Sequence, residues 1–343
     1  MSRKSKLAAS GLDYATRFVT RICRIAGDHR MLDRLRRDLA RCGVRAAVRG
    51  RNTPALFNWL LEMVSFQGIG NHVAEGYMDR HGRIEWDEIT VLIEAHPSCP
   101  KLRSYWHFDH CGYRKGQRSC SEPDHFPECP LPTHDLRNGR LNQAAYSLFL
   151  FIRDVTDGDL VGWIDRRLAD ADFGSTPDRA ARLRQAVVEP LAHIHGVSDK
   201  VLSMALANLL LGADRRRVLW TEAGAVMIAV DTLVHNFLHR TGILARLDAA
   251  HLYGPACYAP GGCAEIVERI AGTIDTRRFN PAFPANFPRF VQQAIWRFCA
   301  EYGLDECNGR QIDDRARCDR RDCPVFRRCD RVTLKPERSN EDD

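Results

Sequence analysis

Eight of the thirteen cysteines fall into two windows, Cys99, Cys111, Cys120 and Cys129 in one and Cys307, Cys318, Cys323 and Cys329 in the other. These windows limit what the chain can fold into, because neither carries the apolar periodicity of a helix or strand that could bury a core of its own. Something other than packing must hold them. The start, "MSRKSKLAASGLDYATRFVTRIC", has basic residues but no apolar block followed by a small-residue cleavage site, so no secretion signal is read and the expected compartment is the cytoplasm. Thiols stay reduced there, which makes metal ligation the expected use of such groups rather than disulfides.

The other residues read as mainly α. A length of 343 residues suits two lobes or one large domain, and the longest apolar stretches, "AYSLFLFI" and "MALANLLLGA", are far too short to span a membrane. Strand-like alternation is scarce while helical spacing recurs. Met31, Leu32, Leu35 and Leu39 form one stripe, and "NTPALFNWLLEMVSF" opens with Thr53 as a cap and Pro54 at the first helical position. "NHVAEGYMDRH" stops at Gly82, and helical patterning returns in "LNQAAYSLFLFIRD", in "RAARLRQAVVEPLAHI" and, after the proline-spaced loop "FNPAFPANFPRF", in "VQQAIWRFCAEYG". The formal net charge of +6 permits a nucleic-acid partner without identifying one.

Lysine is scarce: only six of the fifty basic residues are lysine, and Lys200 is the only one between Lys115 and Lys335. It stands in "IHGVSDKVLSMALANLLLG", where residues 178–194 predict one helix, "HGVSD" a tight turn, and Val201, Leu202, Ala205, Leu206, Leu209 and Leu210 the apolar face of a second. A helix, a glycine hairpin and a helix turn the first N–H groups of the second helix toward solvent, an arrangement that grips phosphate without reading bases. Gly196 lies in the turn and Ser198 at the N-cap, which puts Lys200 in the first helical turn. The helix dipole disfavours a cation there and favours the neutral amine, a nucleophile able to form a Schiff base at a sugar C1′. A surface lysine touching a phosphate is the plainer alternative.

"IHGVSDKVLSMAL" resembles the hairpin of the endonuclease III-like helix-hairpin-helix (HhH-GPD) DNA glycosylases, in which a glycine turn is followed by a catalytic lysine. "AVDTLVHNFLHRTG" (229–242) looks like that family's next element, and "WLLEMVSFQGI" is similar to the helix and turn that open its barrel, with the tryptophan-leucine-x-glutamate pattern of the adenine glycosylase branch. His195 stands where the family has proline, and Ser198 where it has a second glycine. The resemblance covers roughly residues 54–330 without the Cys-rich insertion. It implies a two-lobed helical fold: an N-terminal helical region (1–53) packing on the C-terminal lobe, a barrel lobe with the hairpin (54–220, insertion 97–137), a C-terminal lobe with a four-cysteine loop (221–332) and a disordered tail (333–343).

Asp231, just before a helix, is a natural N-cap and needs no other purpose; the resemblance implies that it also supports positive charge developing at C1′. Asn58, Glu62 and Ser65 share a narrow polar stripe that faces either water or a cleft. In a cleft, partial burial would raise the Glu62 pKa and let it protonate a departing base, as the resemblance to adenine-type enzymes implies. Gln67 matches the family residue that fills the gap left by an extruded base, with an exposed loop glutamine as the competing explanation.

"CNGRQIDDRARCDRRDCPVFRRC" spaces its cysteines as Cys307-x10-Cys318-x4-Cys323-x5-Cys329 and resembles the terminal [4Fe–4S] loop of the same family; tetrathiolate zinc is the rival. Its interleaved arginines would face phosphate in either case. Cys99, Cys111, Cys120 and Cys129, with histidines among them, admit a structural zinc site or a second iron–sulfur cluster. The expected function is base excision by a DNA glycosylase with AP lyase activity: a monomer in the cytoplasm, associated with the nucleoid, that extrudes a damaged or modified base from duplex DNA and acts through Lys200 and Asp231. The alternatives are a monofunctional glycosylase that directs water, and a catalytically silent, metal-stabilised DNA-binding protein.

Overall fold

The computed structural model describes residues 3–65, 71–134, 136, 139–174, 176 and 178–335, so Gln67 and most of the expected tail lie outside the described residues. The protein is mainly helical. Among the described residues there is no strand, only a single antiparallel bridge between Arg114 and Ser119. Two compact units divide the chain, one made of residues 32–224 and the other of residues 1–31 with 225–343. Among the described residues no helix is long and apolar enough to cross a membrane.

The 32–224 unit is built around the helix Gly139–Val155, in which residues 141–152 are all buried. A helix apolar on nearly all sides has to be surrounded. It packs against Thr53–Ser65, Trp86–Glu94 and the short helix Tyr105–Phe108. The helix Thr53–Ser65 starts where expected, but its cap is one residue earlier: the Asn52 side chain accepts from the Ala55 N–H, while the Thr53 hydroxyl accepts from Leu160 N–H. Asn58, on the expected polar stripe, accepts from Trp86 N–H at 2.8 Å at the start of the helix Trp86–Glu94.

Among its described residues the 97–137 insertion contains four short 3-10 turns, the Tyr105–Phe108 helix and a small core of Leu102, Phe108, Tyr113 and Leu131. Polar side chains of the central helix fasten it. Asn142 Nδ2 donates to the Leu131 and His134 carbonyls, Gln143 Nε2 donates to the Cys111 carbonyl, and Tyr146 meets His134 Nε2 at 3.0 Å. Beside its four thiols, the insertion is thus held by a hydrogen-bonded dock.

In the other unit the helix Arg3–Ala26 buries Ala15, Phe18, Val19, Ile22, Cys23 and Ala26, a three-and-four spacing, against Pro288–Cys299, Ile243–Arg246 and Cys263–Ala271. The proline-spaced loop also contributes to the core, because Phe279, Phe283, Phe287 and Phe290 form one ring cluster with centroids 5.0–6.0 Å apart. At the C-terminal end, Leu334 and Lys335 N–H groups both donate to the Asp314 carbonyl at 2.9 Å, so the chain is still tied down at the start of the expected tail.

Candidate functional site

The hairpin forms between the helices Arg179–Leu191 and Asp199–Gly212. Gly196 has φ +75°, and a Cβ there would come within 2.9 Å of the Arg140 carbonyl oxygen, so both backbone conformation and space call for glycine. Ser198 occupies the N-cap in an extended conformation without a side-chain capping bond, and the first helical bond runs from Leu202 N–H to the Ser198 carbonyl at 3.0 Å. Lys200 is therefore in the first turn, partly exposed, with Asp199 beside it.

His195 adds contacts of its own to the turn. Its backbone N–H donates to Ser147 Oγ at 3.1 Å, a bond proline cannot make, and its ring meets buried Phe108 of the insertion edge-on at 6.3 Å. Burial pulls the His195 pKa down, against the opposing Asp109 charge.

Glu62 lies in the same unit, at a cavity of about 390 Å³ whose lining includes Asn58, Trp59, Ser65 and Arg83. The expected polar stripe thus faces one hollow. The Glu62 side chain is 36% exposed and sits 3.9 Å from the Arg83 guanidinium, a setting more open than an apolar pocket. Among the described residues Lys200 does not line this cavity.

Asp231 belongs to the other unit, where its carboxylate accepts from Val234 N–H at 3.0 Å and caps the helix Thr232–Arg240. Tyr258 holds the preceding residue, accepting from Val230 N–H at 2.8 Å. The Tyr253 pKa is raised by burial and then by the Asp231 charge, which places that phenol within electrostatic reach of the cap.

Cys307, Cys318, Cys323 and Cys329 line one narrow hollow of about 20 Å³ with Phe237, Phe298, Ile312, Val325 and Phe326. Burial pushes the Cys323 thiol up to about 11 and the Cys329 thiol up to about 12, and the neighbouring cysteines add to both shifts. Arg240, 2% exposed, also lines the cavity, as does Arg331. Arg240 Nη1 and Arg331 Nε are buried without a protein hydrogen-bond partner. Beside this loop, Arg21, Arg321, Arg327 and Arg328 line a basic hollow of about 300 Å³.

In the insertion, burial and then the nearby cysteines raise the Cys111 and Cys129 thiols, the second to about 12. Cys129 feels the charges of Cys111, Cys120 and Cys99.

A group missed in the sequence is His235, His251, Cys257 and Cys263, whose donor atoms all lie within 4.8 Å of one another. The group could hold a metal ion. Cys263 Sγ is 3.3 Å from both His235 Nδ1 and His251 Nε2, and Cys257 Sγ is 3.5 Å from His235 Nδ1. Burial, followed by His251 and His239, pulls the His235 pKa to about 4. The spacing H-x15-H-x5-C-x5-C was the available signal, but its members are spread over two helices and the loop between them and not gathered in a Cys-rich window. Comparison with protein-family models, with curated proteins and with solved structures finds no match to this chain.

Proposed function

We propose that the protein is a base-excision DNA glycosylase of the helix-hairpin-helix type, with strand-cleaving lyase activity. The observation that carries this reading is the hairpin: a glycine required at Gly196 turns the chain so that a helix begins at Asp199 with Lys200 in its first turn. Its first-turn N–H groups offer a grip on DNA phosphate. Lys200 Nζ would attack C1′ of an extruded nucleotide, the glycosidic bond would break with its electron pair leaving on the base, and the sugar would open to an imine. Loss of the C2′ proton then expels the 3′ phosphate by β-elimination. Asp231 would hold its negative charge toward the cationic sugar, and Glu62 would supply a proton to the departing base. The reading requires Lys200 and Asp231 to serve one nucleotide.

Cys307, Cys318, Cys323 and Cys329 would hold a [4Fe–4S] cluster, as the resemblance of their loop implies. A tetrathiolate zinc ion draws its sulfurs to about 3.8 Å apart, since Zn–S is about 2.3 Å. Among the described residues only the His235 group is drawn together within 4.8 Å, so Cys307, Cys318, Cys323 and Cys329 stand wider than a zinc site would place them. A cubane holds its thiolates farther apart and carries negative charge, which the orphaned N–H groups of Arg240 and Arg331 would meet. Such a cluster would fix the arginine loop; the residues themselves supply the phosphate contacts. A second reading, a silent DNA-binding protein, draws on the basic hollow at Arg321, Arg327 and Arg328, which does not involve Lys200.

Borohydride trapping on duplexes with an abasic site or modified bases separates the two. A covalent adduct that disappears in Lys200→Ala supports the enzyme. DNA retention with neither adduct nor base release on any duplex selects the silent binder.

A further inference from the structure

We propose that His235, His251, Cys257 and Cys263 form a structural zinc site, separate from both four-cysteine groups, that fastens the 247–262 loop to the start of the Thr232–Arg240 helix. The inference does not depend on the glycosylase reading. Tetrahedral zinc with Zn–S near 2.3 Å and Zn–N near 2.0 Å sets its ligand atoms about 3.3 to 3.8 Å apart. The three observed sulfur–nitrogen separations are 3.3, 3.3 and 3.5 Å.

The pattern of contacts is also that of a shared ion. Isolated thiol–imidazole hydrogen bonds pair one sulfur with one nitrogen. Here Cys263 meets two imidazoles and His235 meets two sulfurs, closing the group on a common centre. His251 Nδ1 lies 2.7 Å from the Ala249 carbonyl, which can only accept, so the proton is on Nδ1 and Nε2 turns a lone pair toward Cys263. This is the outer hydrogen bond that orients metal-bound histidines.

The donor set selects the ion. Two thiolates and two neutral imidazoles suit zinc, and two thiolates balance its charge, so the complex can be buried without a net charge. His235, Cys257 and Cys263 are buried and His251 partly so, and four protein ligands leave no open position, which makes the site structural. Its ligands come from four places: His235 in the first turn after Asp231, His251 in the loop, Cys257 in the turn Pro255–Cys257, and Cys263 at the start of the helix Cys263–Ala271. Between the last two, Tyr258 grips Val230, next to Asp231. The ion would therefore set the position of the Asp231 cap through a loop that has little packing of its own, with Leu252 and Tyr253 exposed at its tip.

The test is metal analysis and zinc K-edge X-ray absorption on the full chain purified without added metal. The expected shell contains nitrogen at about 2.0 Å and sulfur at about 2.3 Å. Cys257→Ser and His251→Ala should each lose about one zinc per chain, retain the iron content, and become cleavable by protease within 247–262. A wild-type protein without zinc, an all-sulfur shell, or iron in the histidine–cysteine shell overturns the proposal. So does a zinc content unchanged in both variants. The wild-type spectrum decides the matter even if a variant fails to fold.

Discussion

Asp231 combines a structural duty that is visible with a chemical one that is proposed, and two substitutions pull them apart. Its carboxylate caps the helix Thr232–Arg240 through one 3.0 Å bond to Val234 N–H. Asp231→Ala removes the cap, a loss of about 1–2 kcal/mol. For a unit of this size that corresponds to about 3–6 °C in Tm. Asparagine caps as well as aspartate, so Asp231→Asn gives up only the charge–dipole attraction, about 0.3–1 kcal/mol or some 1–3 °C. Base release should behave differently, because both variants lack the negative charge at the sugar and each should fall about 10²–10³-fold. Thermal denaturation paired with single-turnover base release on a substrate duplex reads both quantities. If Asp231→Asn released base at the wild-type rate, the carboxylate would be a cap and nothing more. If it melted as early as Asp231→Ala, the cap itself would be misread.

Two further outcomes follow from the hairpin. Gly196→Ala forces a side chain into φ +75° and against the Arg140 carbonyl, which should cost about 2–3 kcal/mol in urea denaturation; a loss below about 0.5 kcal/mol would contradict the close approach. Burial depresses the His195 pKa below its ordinary 6.5, so the unfolded chain takes up that proton first. The stabilisation is complete above pH 6.5 and fades as pH falls through the lower folded value, and the decline should be shallower in His195→Gln, measured by urea midpoint between pH 7.5 and 5.

The helices were legible because their apolar residues repeat at helical spacing, and the two four-cysteine groups because cysteine is concentrated there. Legibility failed where one residue serves a distant segment. Asn142, Gln143 and Tyr146 read as polar positions in an apolar helix, yet they are buried clamps on an insertion that precedes them in the chain. Thr53 reads as the cap because threonine caps well, but Asn52 takes that place and frees Thr53 for a bond to residue 160. The His235 group was invisible because its ligands come from four elements, and only folding brings them within reach. Of the proposed machinery, the hairpin and the cap were readable from local chemistry, whereas the hollow facing Glu62 and its Arg83 neighbour needed the packing of several helices.

The dock between the insertion and the central helix makes the 97–137 segment an integral part of its unit rather than a detachable accessory. Cutting it out would strip Phe108 from His195, take the carbonyls from Asn142 and Gln143, and take the His134 imidazole from Tyr146. A shortened version designed on the pattern of insertion-free proteins would therefore need those polar side chains rewritten as apolar ones before it could be expected to stay soluble.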